Sequence, residues 1–310
     1  MRLNRLCVAM IAAAMGMGYV AAPVRAEDPK ELVFIFQKQK DPAKIKASAD
    51  TFATKLGEKL GTKVTVQVPA DYSASVQAMV NKKADFAYVS AMPFLLAQRD
   101  GKAEILLVEE RKDAAGTVRT EYDSVLVVAK DSPLQSIDDL KKDAKNVRMV
   151  FTSTTSTSGY IFAFKRFVDE GLLKPKQDPR EVFKSVAFGG GYTQALEQVL
   201  QGRGDVAAVS DYTVEGAKAD VYLKKEDREK LRVLARTPGV PTHLIAARDG
   251  LSAELKDKVK AALLAVAKEN PELLADVYGA TAFVEPKGKH ARKAAEAIEA
   301  IGLPIEGLAK

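Results

Sequence analysis

Apolar positions along the chain follow two alternating periods. Leu32-Val33-Phe34-Ile35-Phe36 is a continuous run of strand length, of the kind buried on both faces of a parallel sheet. A helical period follows at Ile45, Ala49, Phe52, Leu56 and Leu60, opened by Asp41 as a cap with Pro42 in the first turn and closed by Gly61. Val64, Val66 and Val68 then alternate as a strand. The pattern repeats. Asp71-Tyr72-Ser73 opens a short helix through Val76, Met79 and Val80, and residues 86–89 form the next strand. Further strands are predicted over residues 105–108, 124–128, 147–151, 182–188 and 206–209, with helices over 160–170 and 193–200. Such alternation predicts an α/β fold with mostly parallel sheets. The C-terminal stretch reads as a series of helices divided by Pro271 and Pro286-Lys287-Gly288, packing on a sheet rather than building one.

The N-terminus has a different character. Arg2 and Arg5 precede an apolar run over residues 6–20 that ends in the small-residue site Val24-Arg25-Ala26, which predicts a secretory signal peptide over residues 1–26. Loss of Arg2, Arg5 and Arg25 lowers the net charge of +6 by three. It also removes the only cysteine, Cys7, so disulfides, thiolate chemistry and cysteine-based metal sites are excluded for the mature chain. The charges are mixed along the chain, without a basic block, which argues against a nucleic-acid partner. The remaining length suits two domains held by core packing alone.

Candidate chemistry gathers in loops that follow strands, where ligands of open α/β sheets bind. The hydroxyl-rich segment Phe151-Thr152-Ser153-Thr154-Thr155-Ser156-Thr157-Ser158-Gly159-Tyr160 joins a strand to a helix. The first N–H groups of a helix lack internal partners and the helix dipole adds positive character, so an anion can bind there. Ser156, Thr157 and Ser158 would add donors, and Gly159 would let a ligand approach the backbone. On the residues alone, an ordinary N-cap is an equal reading. Gly189-Gly190-Gly191-Tyr192-Thr193 permits close approach of a ligand or of another segment, or is a plain turn. Ser210-Asp211-Tyr212-Thr213 follows the next strand, with Asp211 as an acceptor or as a cap. In the first half the corresponding loops carry Gln37, Lys38 and Gln39, then Asp71 and Tyr72, then residues 90–94. Tyr72 and Tyr88 are each either a cleft wall with a hydroxyl donor or half-buried packing.

Several segments together make a specific resemblance. They include Asp41-Pro42-Ala43-Lys44, Ala70-Asp71-Tyr72, Lys83-Ala84-Asp85-Phe86-Ala87-Tyr88, Asp131-Ser132-Pro133-Leu134 and Asp138-Asp139-Leu140. The strongest are Ser156-Thr157-Ser158-Gly159-Tyr160 and Gly204-Asp205-Val206-Ala207-Ala208-Val209. In these the chain resembles the phosphate-, phosphite- and phosphonate-binding proteins of ABC importers over essentially its whole mature length. The resemblance implies a two-domain periplasmic-binding-protein fold of type II, with two hinge crossings placed near residues 124–129 and 234–247. The implied division is 27–125 with 240–310 as one domain and 126–239 as the other. It further implies that Tyr72, Ser156, Thr157 and Ser158 touch an oxyanion while Ser210 and Asp211 read the rest of the ligand. Two positions depart from the family pattern: Phe94 stands where many relatives have tyrosine, and Gly191-Tyr192-Thr193 where they have Ser-His-Asp. Tyr192 either replaces the missing donor in part or fills the space of a larger ligand group.

The implied role is a periplasmic, monomeric binding protein that captures a small anion by closing and presents it to an ABC permease in the inner membrane. The alternative within that class is a sensor acting on a histidine kinase or chemoreceptor. An enzyme on the same fold is disfavoured, because outside residues 1–26 the histidines are only His243 and His290, and no nucleophile elbow, Walker loop or zincin motif occurs. The pair Glu109-Glu110 reads as solvated surface beside arginine. No cofactor and no metal are expected.

Overall fold

The computed structural model describes residues 28–303 apart from residue 217, so the expected signal peptide and Cys7 lie outside the described residues. The first half runs β1 (Leu32–Phe36), α1 (Pro42–Leu60), β2 (Val64–Gln67), α2 (Tyr72–Val80), β3 (Phe86–Val89), α3 (Ala91–Gly101), β4 (Glu104–Lys112), β5 (Val118–Arg119) and β6 (Glu121–Ala129). After α4 (Ile137–Asp143) and β7 (Arg148–Phe151), a π-helical turn over Thr157–Phe162 continues directly as α5 (Ala163–Asp169). Then come β8 (Ser185–Phe188), α6 (Tyr192–Leu200), β9 (Val206–Ser210), α7 (Lys225–Arg228), β10 (Leu231–Pro241) and β11 (Leu244–Ala247). The chain ends in α8 (Ala253–Glu269), α9 (Pro271–Tyr278), β12 (Ala282–Val284) and α10 (Arg292–Ile301).

Local chemistry accounts for the element boundaries. The Asp41 carboxylate accepts from the N–H groups of Ala43 and Lys44, Pro42 occupies the first turn, and Gly61 takes the left-handed conformation at φ 65°. Asp71 caps α2 by accepting from Ala74 N, and Ser252 caps α8 through Leu255 N.

Two sheets organise the molecule. The first has the order β12-β4-β11-β3-β1-β2, with β5 hydrogen-bonded to β4, and the second has the order β10-β6-β9-β7-β8. Parallel pairing is confined to β2-β1-β3 and β8-β7-β9, and the other pairings are antiparallel. The sheets are therefore mixed rather than mostly parallel. The reason lies in the connections: a parallel neighbour needs a crossover, usually a helix, whereas the chain leaves the first sheet from β4 into β6 and returns from β10 into β11, so β4 with β11 and β6 with β10 run in opposite directions. The chain passes between the sheets at residues 113–120 and 242–243. Residues 124–129 are the interior of β6, paired with β9 and β10. The C-terminal segment also adds an edge strand, β12, to the first sheet.

Phe34, Phe36, Phe52 and Phe86 fill the core beneath α1 and α8, and Phe151, Phe164 and Phe167 fill that beneath α5. Segments that follow β1 and β3 touch segments that follow β7 and β9 where the two halves meet, through Tyr212 OH to Gln39 Oε1 and Met92 N to Thr157 Oγ1. Among the described residues, no helix is long and apolar enough to cross a membrane.

Candidate ligand-binding site

The meeting line is lined with hydroxyls. Ser156, Thr157 and Ser158 are all completely buried at the head of the helix that becomes α5. The Ser156 hydroxyl accepts from Gly159 N at 3.1 Å and so caps this helix. The Ser158 hydroxyl lies 3.0 Å from the Tyr192 hydroxyl and within 3.5 Å of that of Tyr122. Ser124 Oγ donates to Ser158 O at 2.8 Å, and opposite Ser124 in the sheet register stands Ser210. From the other half, the Met92 N–H at the start of α3 donates to Thr157 Oγ1 at 2.9 Å. Tyr72, at the start of α2, is fully buried.

Several of these groups lack partners. Tyr72 OH, Ser210 Oγ, Gln37 Nε2 and Gln39 Nε2 are buried without a well-formed hydrogen bond, the Tyr72 hydroxyl having the Gln37 side chain near it. Leaving a buried donor unsatisfied costs about 1–3 kcal/mol each, so a hydrogen-bond acceptor reaching these donors would be stabilising. Burial first, and then the neighbouring Tyr192, push the Tyr72 phenol well above the usual tyrosine range, so its hydroxyl keeps its proton.

Behind the hydroxyls is a buried ionic cluster. Glu109 and Arg111, two residues apart on β4 and thus on one face of the strand, form an ion pair. Tyr88 OH donates to Glu109, and Arg111 donates to Tyr278 O while its guanidinium stacks 3.6 Å from the Tyr212 ring centre. Burial would raise the Glu109 carboxyl, but Arg111, His243 and Tyr88 together hold it well below the usual carboxylate range. His243 lies between the rings of Tyr122 and Tyr278, stacked at 6.1 Å from each, and burial keeps it neutral. Seven of the nine tyrosines (Tyr72, Tyr88, Tyr122, Tyr192, Tyr212, Tyr222 and Tyr278) thus meet in one place.

The two halves are in direct contact here. Gln39 O accepts from Tyr192 N at 2.8 Å and so caps α6, which has no side-chain cap of its own. Gln39 Oε1 accepts from the hydroxyls of Tyr222 at 3.1 Å and Tyr212 at 3.3 Å. A separate, open cavity of about 430 Å³ flanks this contact, lined by Arg111, Tyr212, Lys218, Glu272 and Gly279 among others.

Comparison with known proteins places this geometry. Residues 34–291 match the profile of the family described as the periplasmic substrate-binding protein of ABC phosphonate transporters. The chain belongs to that family. It is 24% identical over 256 residues to the phosphate-import protein PhnD of Mycolicibacterium smegmatis, covering 82% of this chain and 78% of the relative. It is 26% identical over 239 residues to the phosphonates-binding periplasmic protein of Escherichia coli, covering 77% and 67%. In fold it is similar to the crystal structure of a binding-protein component of an ABC phosphonate transporter from Pseudomonas aeruginosa, with a TM-score of 0.76 at 20% identity, covering 87% of this chain and 86% of that one.

Within this family frame, the structure makes Tyr72, Ser158 and Tyr192 buried neighbours beside Ser156 and Thr157, and sets Ser210 opposite Ser124, which bonds to Ser158 O. Tyr88 lies nearby, but its hydroxyl is committed to Glu109. Asp211 stands at the edge, near Asp123 and 4.0 Å from Arg236. Phe94 is buried in α3. Gly159 has a different purpose from the one expected: a Cβ there would collide with the Thr152 side chain and come within 2.9 Å of Ala208 O, so the glycine is required by packing on β7 and β9. Of the three consecutive glycines, Gly191 admits another chain segment, since a Cβ would lie 3.2 Å from Gln39 O. Glu109, expected on the surface, is fully buried because Arg111 neutralises its charge and Tyr88 donates a hydrogen bond to it. Sequence reasoning missed Glu109, Arg111, Tyr122 and Tyr278 as parts of one cluster. The signal was the period of two along β4, which puts Glu109 and Arg111 side by side.

Proposed function

We propose that the protein captures a small phosphorus oxyanion, such as phosphate, phosphite or a short alkylphosphonate, between its two halves and delivers it to an ABC permease. The observation that carries this reading is the set of buried, unpartnered donors (Tyr72 OH, Gln37 Nε2, Gln39 Nε2 and Ser210 Oγ) around the head of the Ser156-capped helix. A tetrahedral anion supplies acceptors to all of them and to the first free N–H groups of the helix. The names of the phosphate-importing and phosphonate-binding relatives support the same ligand class. Tyr72, Ser156, Thr157, Ser158, Tyr192 and Ser210 form the proposed contact set, with Tyr88 and Asp211 shaping its edge.

In this reading residues 1–26 direct the chain to the periplasm and are removed, and the mature protein acts as a monomer without cofactor or catalytic step. Two bodies, one on each sheet and close to the division at residues 125 and 240, move about the passages at 113–120 and 242–243. Closure excludes water and strengthens each hydrogen bond to the ligand.

A thermal-shift and calorimetric screen of phosphate, phosphite, methylphosphonate, sulfate, taurine and neutral solutes tests the ligand class. At about 100 times its dissociation constant, a true ligand stabilises the protein by about 2.7 kcal/mol. A response confined to tetrahedral oxyanions is expected. Stabilisation only by neutral organic solutes would contradict the proposal.

A further inference from the structure

The groups lining the proposed site are neutral, and the charges around it leave no positive surplus. Among the described residues, no lysine, arginine or histidine side chain is hydrogen-bonded to the hydroxyls of Tyr72, Tyr122, Ser158 or Tyr192. Behind them Glu109 and Arg111 neutralise each other, and His243 is uncharged. At the edge Arg236 faces Asp123, Asp211 and Glu215. Burial, reinforced by Asp123, pushes the Asp211 carboxyl up to about 6, which leaves it ionised at neutral pH. The loop after β1 carries two cations. Lys38 is half-buried without a partner among the described residues, and its Nζ stands 3.5 Å from where a Cβ of Gly190 would lie. Lys40 Nζ donates to Asp276 O, and burial holds it down to about 8. Arg111, Arg236, Lys38 and Lys40 thus stand among five carboxylates, Glu109, Asp123, Asp211, Glu215 and the Asp276 beside Lys40, with no surplus positive charge.

We infer that this cleft selects the singly charged, protonated form of its tetrahedral oxyanion and discriminates against the doubly charged form. The inference rests on the proposed reading that the occupant is a phosphorus oxyanion. Two physical arguments carry it. The self-energy of a buried ion grows with the square of its charge, so a second negative charge makes desolvation about fourfold more costly. A helix N-terminus supplies only about half a unit of compensating charge.

The second argument concerns the ligand's proton. A P–OH group needs an acceptor, and a site built of lysine and arginine offers donors alone. Here Tyr122, Ser158 and Tyr192 form a chain of three hydroxyls, with links of 3.5 and 3.0 Å. Each hydroxyl both donates and accepts, so the chain can run in either direction and present a lone pair at its end to the ligand's proton. The ligand class this favours is phosphate, phosphite or alkylphosphonate as monoanions. Phosphorus compounds already doubly ionised at the working pH would bind poorly.

Calorimetric titration from mildly acidic to mildly alkaline pH, with methylphosphonate and with its difluoromethyl analogue, tests the inference. Fluorine lowers the second pKa of the analogue. Above each ligand's own second pKa the association constant should fall about tenfold per pH unit, and the break should come at lower pH for the fluorinated compound. Affinity that rises as the second proton leaves would overturn the inference. So would a break at the same pH for both ligands, because a protein group such as Lys40 would then govern it. Tyr122→Phe, which shortens the hydroxyl chain and keeps the ring, should weaken binding most at low pH and flatten the profile; an unchanged profile counts against the inference. Failure of the underlying reading looks different: neither phosphonate binds at any pH.

Discussion

At the scale of single residues, the binding role proposed for Tyr72 comes at the expense of stability. Its hydroxyl is buried with no well-formed hydrogen bond, a state that costs about 1–3 kcal/mol, while its ring packs in the core. Tyr72→Phe should therefore raise the unfolding temperature of the unliganded protein while weakening oxyanion binding at least tenfold, about 1.4 kcal/mol. Parallel melting and calorimetry check this, and a variant that melts lower with unchanged affinity would assign Tyr72 to packing alone. Tyr72, Ser156, Thr157 and Ser158 were legible in the sequence because each sits at the start of a helix whose cap could be read locally. Glu109 was not. Its partners are Arg111 on the same strand and His243 and Tyr88 far along the chain, and a carboxylate's burial depends on neighbours that only folding assembles.

At the scale of elements, the helix begun by Thr157 is held against the sheet by the absence of a side chain at one position. Thr152 Oγ1 donates to Ala208 O at 2.9 Å, and Gly159 packs onto that pair. Gly159→Ala should cost about 1–3 kcal/mol by overpacking and lower the melting temperature by about 2–4 °C for each kcal/mol. Unaltered melting would show that the helix can shift without loss. The strand-helix alternation and the caps at Asp41 and Asp71 were readable because they depend on neighbours a few residues away. The sheet pairing was not. An apolar run such as residues 124–128 has the same composition whether its neighbours are parallel or antiparallel, and the directions of β9 and β10 beside it are set by the course of the chain far along the sequence.

For the whole molecule, the closure proposed above would rest on Gln39, which belongs to the first half and bonds to the second. Its carbonyl caps α6 and its side chain takes the hydroxyls of Tyr212 and Tyr222. Gln39→Ala removes the two side-chain bonds, at about 0.5–1.5 kcal/mol each, and leaves the backbone cap. The closed population should fall, with the dissociation constant rising about tenfold and the radius of gyration of the unliganded protein increasing in X-ray scattering. Equal affinity and equal scattering would mean that Gln39 does not control closure.

The most direct test of the oxyanion site is a crystal structure of the protein grown with methylphosphonate. The account predicts phosphorus density at the head of the Thr157 helix, with oxygens within hydrogen-bonding distance of Tyr72 OH and of the Ser156–Ser158 segment. Density instead in the 430 Å³ cavity beside Arg111 and Lys218, with the hydroxyl cluster unchanged, would contradict it.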